Sequence, residues 1–93
     1  MFPVHPGGLL KRELEARGLS VRQFASALRI PTGRIANVLR SKRGVTADTA
    51  LRLAAYFGNS AQFWMNLQTQ YDLAKVEKAS GRRIAQEVRR AAA

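Results

Sequence analysis

Ser20-Val21-Arg22-Gln23-Phe24-Ala25-Ser26-Ala27-Leu28-Arg29-Ile30-Pro31-Thr32-Gly33-Arg34-Ile35-Ala36-Asn37-Val38-Leu39-Arg40 is the stretch that decides the fold. Ser20 is a strong helix N-cap, because its hydroxyl can accept a bond from one of the free amides of the first turn. Behind it Phe24, Ala25 and Leu28 recur at helical spacing. Arg29-Ile30-Pro31 breaks that helix, since the residue before a proline is pushed out of the α region. Thr32 is expected to cap a second helix running to about Arg40, with Ile35, Val38 and Leu39 on one face. The stretch therefore reads as two short helices around a tight turn, with the small Ala25 where they approach. Arg29 stands where such a turn often uses glycine at positive φ, a conformation that costs a side-chain-bearing residue ~1–2 kcal/mol.

Outward from this stretch the punctuation stays regular. On the N-terminal side Pro3, Pro6, Gly7 and Gly8 should keep the first residues extended or turning. Leu9, Leu10 and Leu14 then form a helical stripe that Gly18 ends. On the C-terminal side 41–44 reads as a loop, and Thr46 caps a helix carrying Ala50, Leu53, Ala54 and Phe57 that Gly58 stops. Ser60 starts a longer helix to about Ala79, bearing Phe63, Trp64, Leu67 and Tyr71. Ser80-Gly81 should interrupt it, leaving Arg82–Ala92 as a short sixth helix. No stretch alternates with period two. The expected fold is all-α, a compact five-helix domain over 1–79 with a basic helix-prone tail over 80–93.

Composition narrows the function class. The 93 residues hold 16 Lys+Arg against 6 Asp+Glu, a formal charge of +10. This length suits one small domain. With no Cys, a lone His5 and scattered acids, neither a metal site nor an acid/base centre is expected, and the chain reads as a cofactor-free binding module rather than an enzyme. No run approaches the ~18 apolar residues of a membrane span. The opening Met1-Phe2-Pro3-Val4-His5-Pro6 lacks a secretory-signal layout, so a cytoplasmic location is expected.

The position of the charge says more than its total. Residues 20–45 carry Arg22, Arg29, Arg34, Arg40, Lys42 and Arg43 and no acid, whereas 46–81 balance three bases against three acids. Two short basic helices around a turn are what a helix-turn-helix needs, the first crossing the phosphate backbone and the second entering the major groove. Thr32, Gly33, Arg34 and Asn37 project from the second helix toward base edges; Arg can pair bidentately with guanine and Asn with adenine. Ser20, Arg22, Arg40, Lys42 and Arg43 are placed to hold phosphates. Double-stranded DNA is the expected partner.

Several motifs resemble a known family: His5-Pro6-Gly7, Leu19-Ser20, the run from Lys42 through Gly44-Val45-Thr46-Ala47-Asp48-Thr49-Ala50 to Ala54, and Phe63-Trp64-Met65-Asn66-Leu67-Gln68 with Tyr71-Asp72-Leu73. Over roughly residues 4–77 the chain is similar to HigA-type antitoxins, which are lambda-repressor-like, Xre-type helix-turn-helix proteins. The resemblance implies an antitoxin that neutralises a RelE-like mRNA-cleaving toxin and represses its own operon as a dimer on a palindromic operator. Val21 stands where many relatives have Gln, Arg29 where they have Gly, and Arg40-Ser41 where Asn-Gly is common, so the operator sequence does not carry over. Phe63 and Leu67 are expected to cover the core. Trp64, Met65 and Tyr71 exceed what one core needs and are expected at a homodimer or toxin interface. Alternative readings are a stand-alone regulator without a toxin and a protein-only inhibitor that has lost specific DNA binding.

Overall fold

Local chemistry at the helix ends sets the architecture. A computed structural model describes residues 2–92. It contains α1 (Pro6–Arg17), α2 (Val21–Leu28), α3 (Thr32–Leu39), α4 (Ala47–Phe57) and α5 (Ala61–Glu87). Ser20 opens α2 with a reciprocal capping box: its Oγ accepts from the Gln23 amide at 3.1 Å, and Gln23 Oε1 accepts from the Ser20 amide at 2.9 Å. Thr46 and Ser60 cap α4 and α5 through the amides of Thr49 and Phe63. Gly18 and Gly58 close α1 and α4 in the left-handed conformation, at φ 65° and 75°.

Three expected helix boundaries differ from the structure. The Pro6-Gly7-Gly8 segment is not a turn but the first turn of α1. His5 caps it, Nδ1 accepting from the Gly7 amide at 2.9 Å, and Pro6 occupies the first helical position, where no donor is needed. Gly7 is there for clearance: a Cβ at this position would run into the Val38 carbonyl oxygen at the end of α3. Thr32, expected as the α3 cap, is instead its first helical residue; Pro31 takes the cap position and no side chain bonds there. Its ring fixes φ near the helical value, which starts α3 without a hydroxyl.

The third correction concerns the tail. α5 runs unbroken through Ser80 and Gly81 to Glu87, so the expected boundary at 79/80 lies inside it and no sixth helix follows among the described residues. A helical glycine costs about 1 kcal/mol relative to alanine. It keeps its N–H, however, and φ at Gly81 is not positive. Between Ala79 and Arg82-Arg83, good helix formers, that penalty does not stop the helix.

The core gathers Leu10 and Leu14 of α1, Phe24 and Leu28 of α2, Ile35 and Val38 of α3 and Leu53 of α4. Trp64 of α5 closes it at 2% exposure, with Nε1 donating to Asn59 Oδ1 at 2.9 Å. Trp64 therefore leaves the list of interface residues, and its neighbour Phe63, expected in the core, is 41% exposed. One residue of helical phase is 100°, enough to exchange the two, and the indole N–H has a local acceptor that makes burial inexpensive. Leu67 packs against the core as expected. Met65 is partly buried against it, and Tyr71 holds the N-terminal segment, edge-on to His5 at 4.9 Å and to Phe2 at 5.8 Å. Beyond Tyr71, α5 leaves the body. Its 27 residues span about 40 Å at 1.5 Å each. This length accounts for most of the 52 Å long axis, against 23 Å across.

Candidate nucleic-acid interface

The turn between α2 and α3 is built by Arg29 in the left-handed region at φ 58°. Ile30 N–H donates back to the Ala25 carbonyl at 3.0 Å and Arg29 N–H to that of Ser26 at 3.2 Å, the paired closure of a Schellman motif. Ile30 is buried beneath it. The far end of α3 closes the same way: Ser41 sits at φ 61°, with Ser41 N–H on the Val38 carbonyl and Lys42 N–H on that of Asn37. Two residues with side chains thus occupy glycine-like positions on either side of α3, each at a cost of ~1–2 kcal/mol. Arg52 of α4 braces the first turn, donating through Nη1 to the Leu28 carbonyl at 3.1 Å and through Nε to Asp48 at 2.8 Å.

α3 is divided lengthwise. Ile35, Val38 and Leu39 are buried, while Gly33, Asn37 and Arg40 share the opposite face by helical phase. Thr32 and Gly33 are exposed at its start, and a Cβ on Gly33 would meet nothing within 4 Å. Gly33 thus serves no packing need within the chain and leaves space for an external surface to come close. Asn37 and Arg34 are half-buried. Nε of Arg34 is the one buried side-chain nitrogen or oxygen without a partner among the described residues. Such a group stripped of water costs ~1–3 kcal/mol until an acceptor arrives.

Ser20 and Arg22 are exposed at the start of α2, and Arg40, Lys42 and Arg43 are exposed around the loop after α3. The structure thus brings all nine sequence-selected positions to α2, α3 and that loop. Among the described residues the ion pairs join Glu13 to Arg17, Asp48 to Arg52 and Glu87 to Arg83. None involves Arg22, Arg29, Arg34, Arg40, Lys42 or Arg43, so this surface keeps its charge. Among the described residues no three of His, Cys, Asp and Glu converge as a metal would need, and no helix is long and apolar enough to cross a membrane.

Two residues that matter to this surface escaped the sequence reading. One is Arg52, whose role across to α2 leaves no local signal. The other is Gln68, buried on α5, which bonds the backbone at Val45. Its signal was available: Gln68 lies one turn after Trp64, on the same inward face.

Paired basic helices, a tight turn and a second helix with one apolar and one open face define a helix-turn-helix DNA-binding protein. Residues 10–64 match the helix-turn-helix family. An addiction-module antidote protein of the HigA family from Coxiella burnetii is 46% identical, with a TM-score of 0.89 over 98% of this chain and 100% of that one. The Pseudomonas aeruginosa antitoxin HigA, solved with the higBA promoter, is 42% identical, with a TM-score of 0.88 over 94% of this chain and 96% of that one. Virulence-associated protein I of Dichelobacter nodosus is 50% identical over 79 residues, 84% of this chain and 73% of that protein. The chain belongs to the helix-turn-helix family, in its HigA-type antitoxin branch. That family consists of DNA-binding regulators, not enzymes.

Proposed function

We propose that this chain is the antitoxin and autorepressor of a toxin–antitoxin module, acting in the cytoplasm. It binds a palindromic operator as a homodimer and neutralises a RelE-like mRNA-cleaving toxin. The observation that carries the DNA half is the acid-free surface of α2, α3 and the following loop, whose six cations have no carboxylate partner among the described residues. In the bound state α3 enters the major groove. Arg34 and Asn37 read base edges, Thr32 and Gly33 allow close approach, and Ser20, Arg22, Arg40, Lys42 and Arg43 hold phosphates. An acceptor on the DNA also satisfies the inner nitrogen of Arg34, which has none among the described residues.

A two-fold dimer sets two α3 helices about 34–36 Å apart on successive major grooves. The dimer surface is the outer face of α5, where Leu73 and Ile84 are exposed on the side opposite Trp64 and Gln68 and Val76 is exposed on the flank. Met65 and Tyr71 flank the body instead. Membership of the antitoxin branch supports toxin neutralisation, and the charge-balanced stretch 46–81 leaves surface for protein contacts.

Fluorescence anisotropy with the DNA upstream of the chain's own gene tests the operator reading. Arg34→Ala should cost ~1–3 kcal/mol on that DNA and relax selectivity at one base pair. Equal losses on specific and random duplexes would make Arg34 a phosphate contact and refute the groove assignment. Co-purification of the neighbouring gene product tests the toxin half, and failure to bind it would leave a regulator alone.

A further inference from the structure

Gln68 is a polar side chain at 6% exposure, the one residue besides Trp64 that α5 buries. Its Oε1 accepts from the Val45 amide at 2.8 Å, across 23 residues of sequence. Its Nε2 donates to Asp72 Oδ1 at 2.9 Å. The two partners fix the orientation of the amide, because Val45 N–H can only donate and the carboxylate only accept. Gly44 lies flat against the same group: a Cβ there would stand 3.0 Å from Gln68 Cδ. At its other end the loop is tied to α3, where the Lys42 and Arg43 amides donate to the Asn37 carbonyl at 2.9 and 3.2 Å. Between these two anchors the chain exposes Lys42 and Arg43 and little else.

We propose that Gln68 of α5 is a positioning residue for DNA binding, holding the 41–45 loop so that Lys42 and Arg43 meet the phosphate backbone together. It touches no DNA itself. The inference rests on the operator-binding reading above. Without Gln68 the buried Val45 amide has no acceptor, and the loop can satisfy it only by swinging toward water. The two cations then move away from their phosphates, while α3, anchored by Ile35, Val38 and Leu39, stays in place.

The test measures operator affinity of the full chain by anisotropy between about 50 and 200 mM salt, where each phosphate contact contributes ~0.9 to the slope of log affinity against log salt. The double variant Lys42→Ala/Arg43→Ala sets the scale: its affinity should fall roughly tenfold less than wild type across this range, the equivalent of two lost contacts. Gln68→Met, similar in shape but without either bond, should reproduce most of that flattening while keeping the preference for operator over random DNA. Gly44→Ala reaches the same contact from the loop side, should do likewise, and carries the test should Gln68→Met fail to fold. A merely structural loss reduces the folded fraction equally at every salt and leaves the slope alone. A wild-type slope in a folded Gln68→Met or in Gly44→Ala, with a flattened double variant, would overturn the positioning role. An unchanged slope in the double variant would instead remove the loop from the interface, and with it the phosphate assignment.

Discussion

Arg29→Gly isolates the strain in the turn between α2 and α3. Arg29 holds φ 58° and ψ 42°, where an L-residue is penalised by ~1–2 kcal/mol and glycine is not. Against this relief, glycine has more freedom to lose on folding, a cost of roughly 0.5–1 kcal/mol. The Arg29 side chain is exposed and outside every ion pair of the described residues, so little packing is given up. Removing one positive charge from a chain of net +10 also eases its self-repulsion slightly. The net expectation is a stabilisation of about 0.5–1 kcal/mol. For a domain of this size that raises the melting temperature by roughly 2–8 °C. Urea midpoints and thermal melts at fixed ionic strength measure it, with Arg29→Ala as the control. Alanine removes the same charge but keeps the left-handed strain, so it should stay within about 0.5 kcal/mol of wild type. If Arg29→Gly gave no gain over Arg29→Ala, the turn would store no strain and the reasoning would fail.

Gly7→Ala should destabilise by ~1–3 kcal/mol in urea titrations, because its Cβ meets the Val38 carbonyl; Gly33→Ala, facing open space, should instead gain up to about 1 kcal/mol. A stabilised Gly7→Ala would show that α1 can move off α3 freely. His5 is held below its ordinary value near 6.5, chiefly because burial disfavours its charged form, with Asp72 opposing and Lys75 assisting. Since the native state disfavours that proton, the cap's contribution is complete above about pH 6.5 and is lost as pH falls through the lower native value. The urea midpoint should therefore drop on acidification before the carboxylates titrate, and His5→Asn, a cap that does not titrate, should flatten that drop. A wild-type midpoint constant across this window would contradict it. Trp64, the only tryptophan, should emit at short wavelength and stay there when DNA binds; Trp64→Ala should cost ~3–5 kcal/mol, and a red-shifted native spectrum would argue against its burial.

Local chemistry was the readable part of this chain. Ser20, Thr46 and Ser60 announce helix starts by side-chain bonds within three residues, and Gly18 and Gly58 announce ends by their left-handed φ. The surface of α2 and α3 could be located because its charge is contiguous along the chain. What stayed hidden depends on partners far away in sequence. Gly7 looks like a loop residue until Val38 is set beside it, and Gln68 looks like a surface amide until Val45 folds back onto α5. Trp64 and Phe63 exchanged roles because a stripe of adjacent aromatics does not fix which of them points inward. Gly81 shows the reverse error, a real local penalty outweighed by good helix formers on both sides.

The last buried side chain of α5 is Gln68, and the helix continues for 19 further residues after it. Past Tyr71 these turns meet the N-terminal segment through Lys78, which lies over the Phe2 ring at 5.7 Å, and bury no side chain. An isolated helix of about 12–15 residues is marginal in water; one that extends from an anchored base is better placed but still opens from its free end. The order of this segment is thus tied to occupancy of its outer face. In the proposed dimer, pairing would keep the segment closed to proteases, and a lone chain would offer it to them. The lifetime of this protein in the cell should therefore depend on how often it is alone, with first cleavage between Leu73 and Glu87 rather than within the compact body.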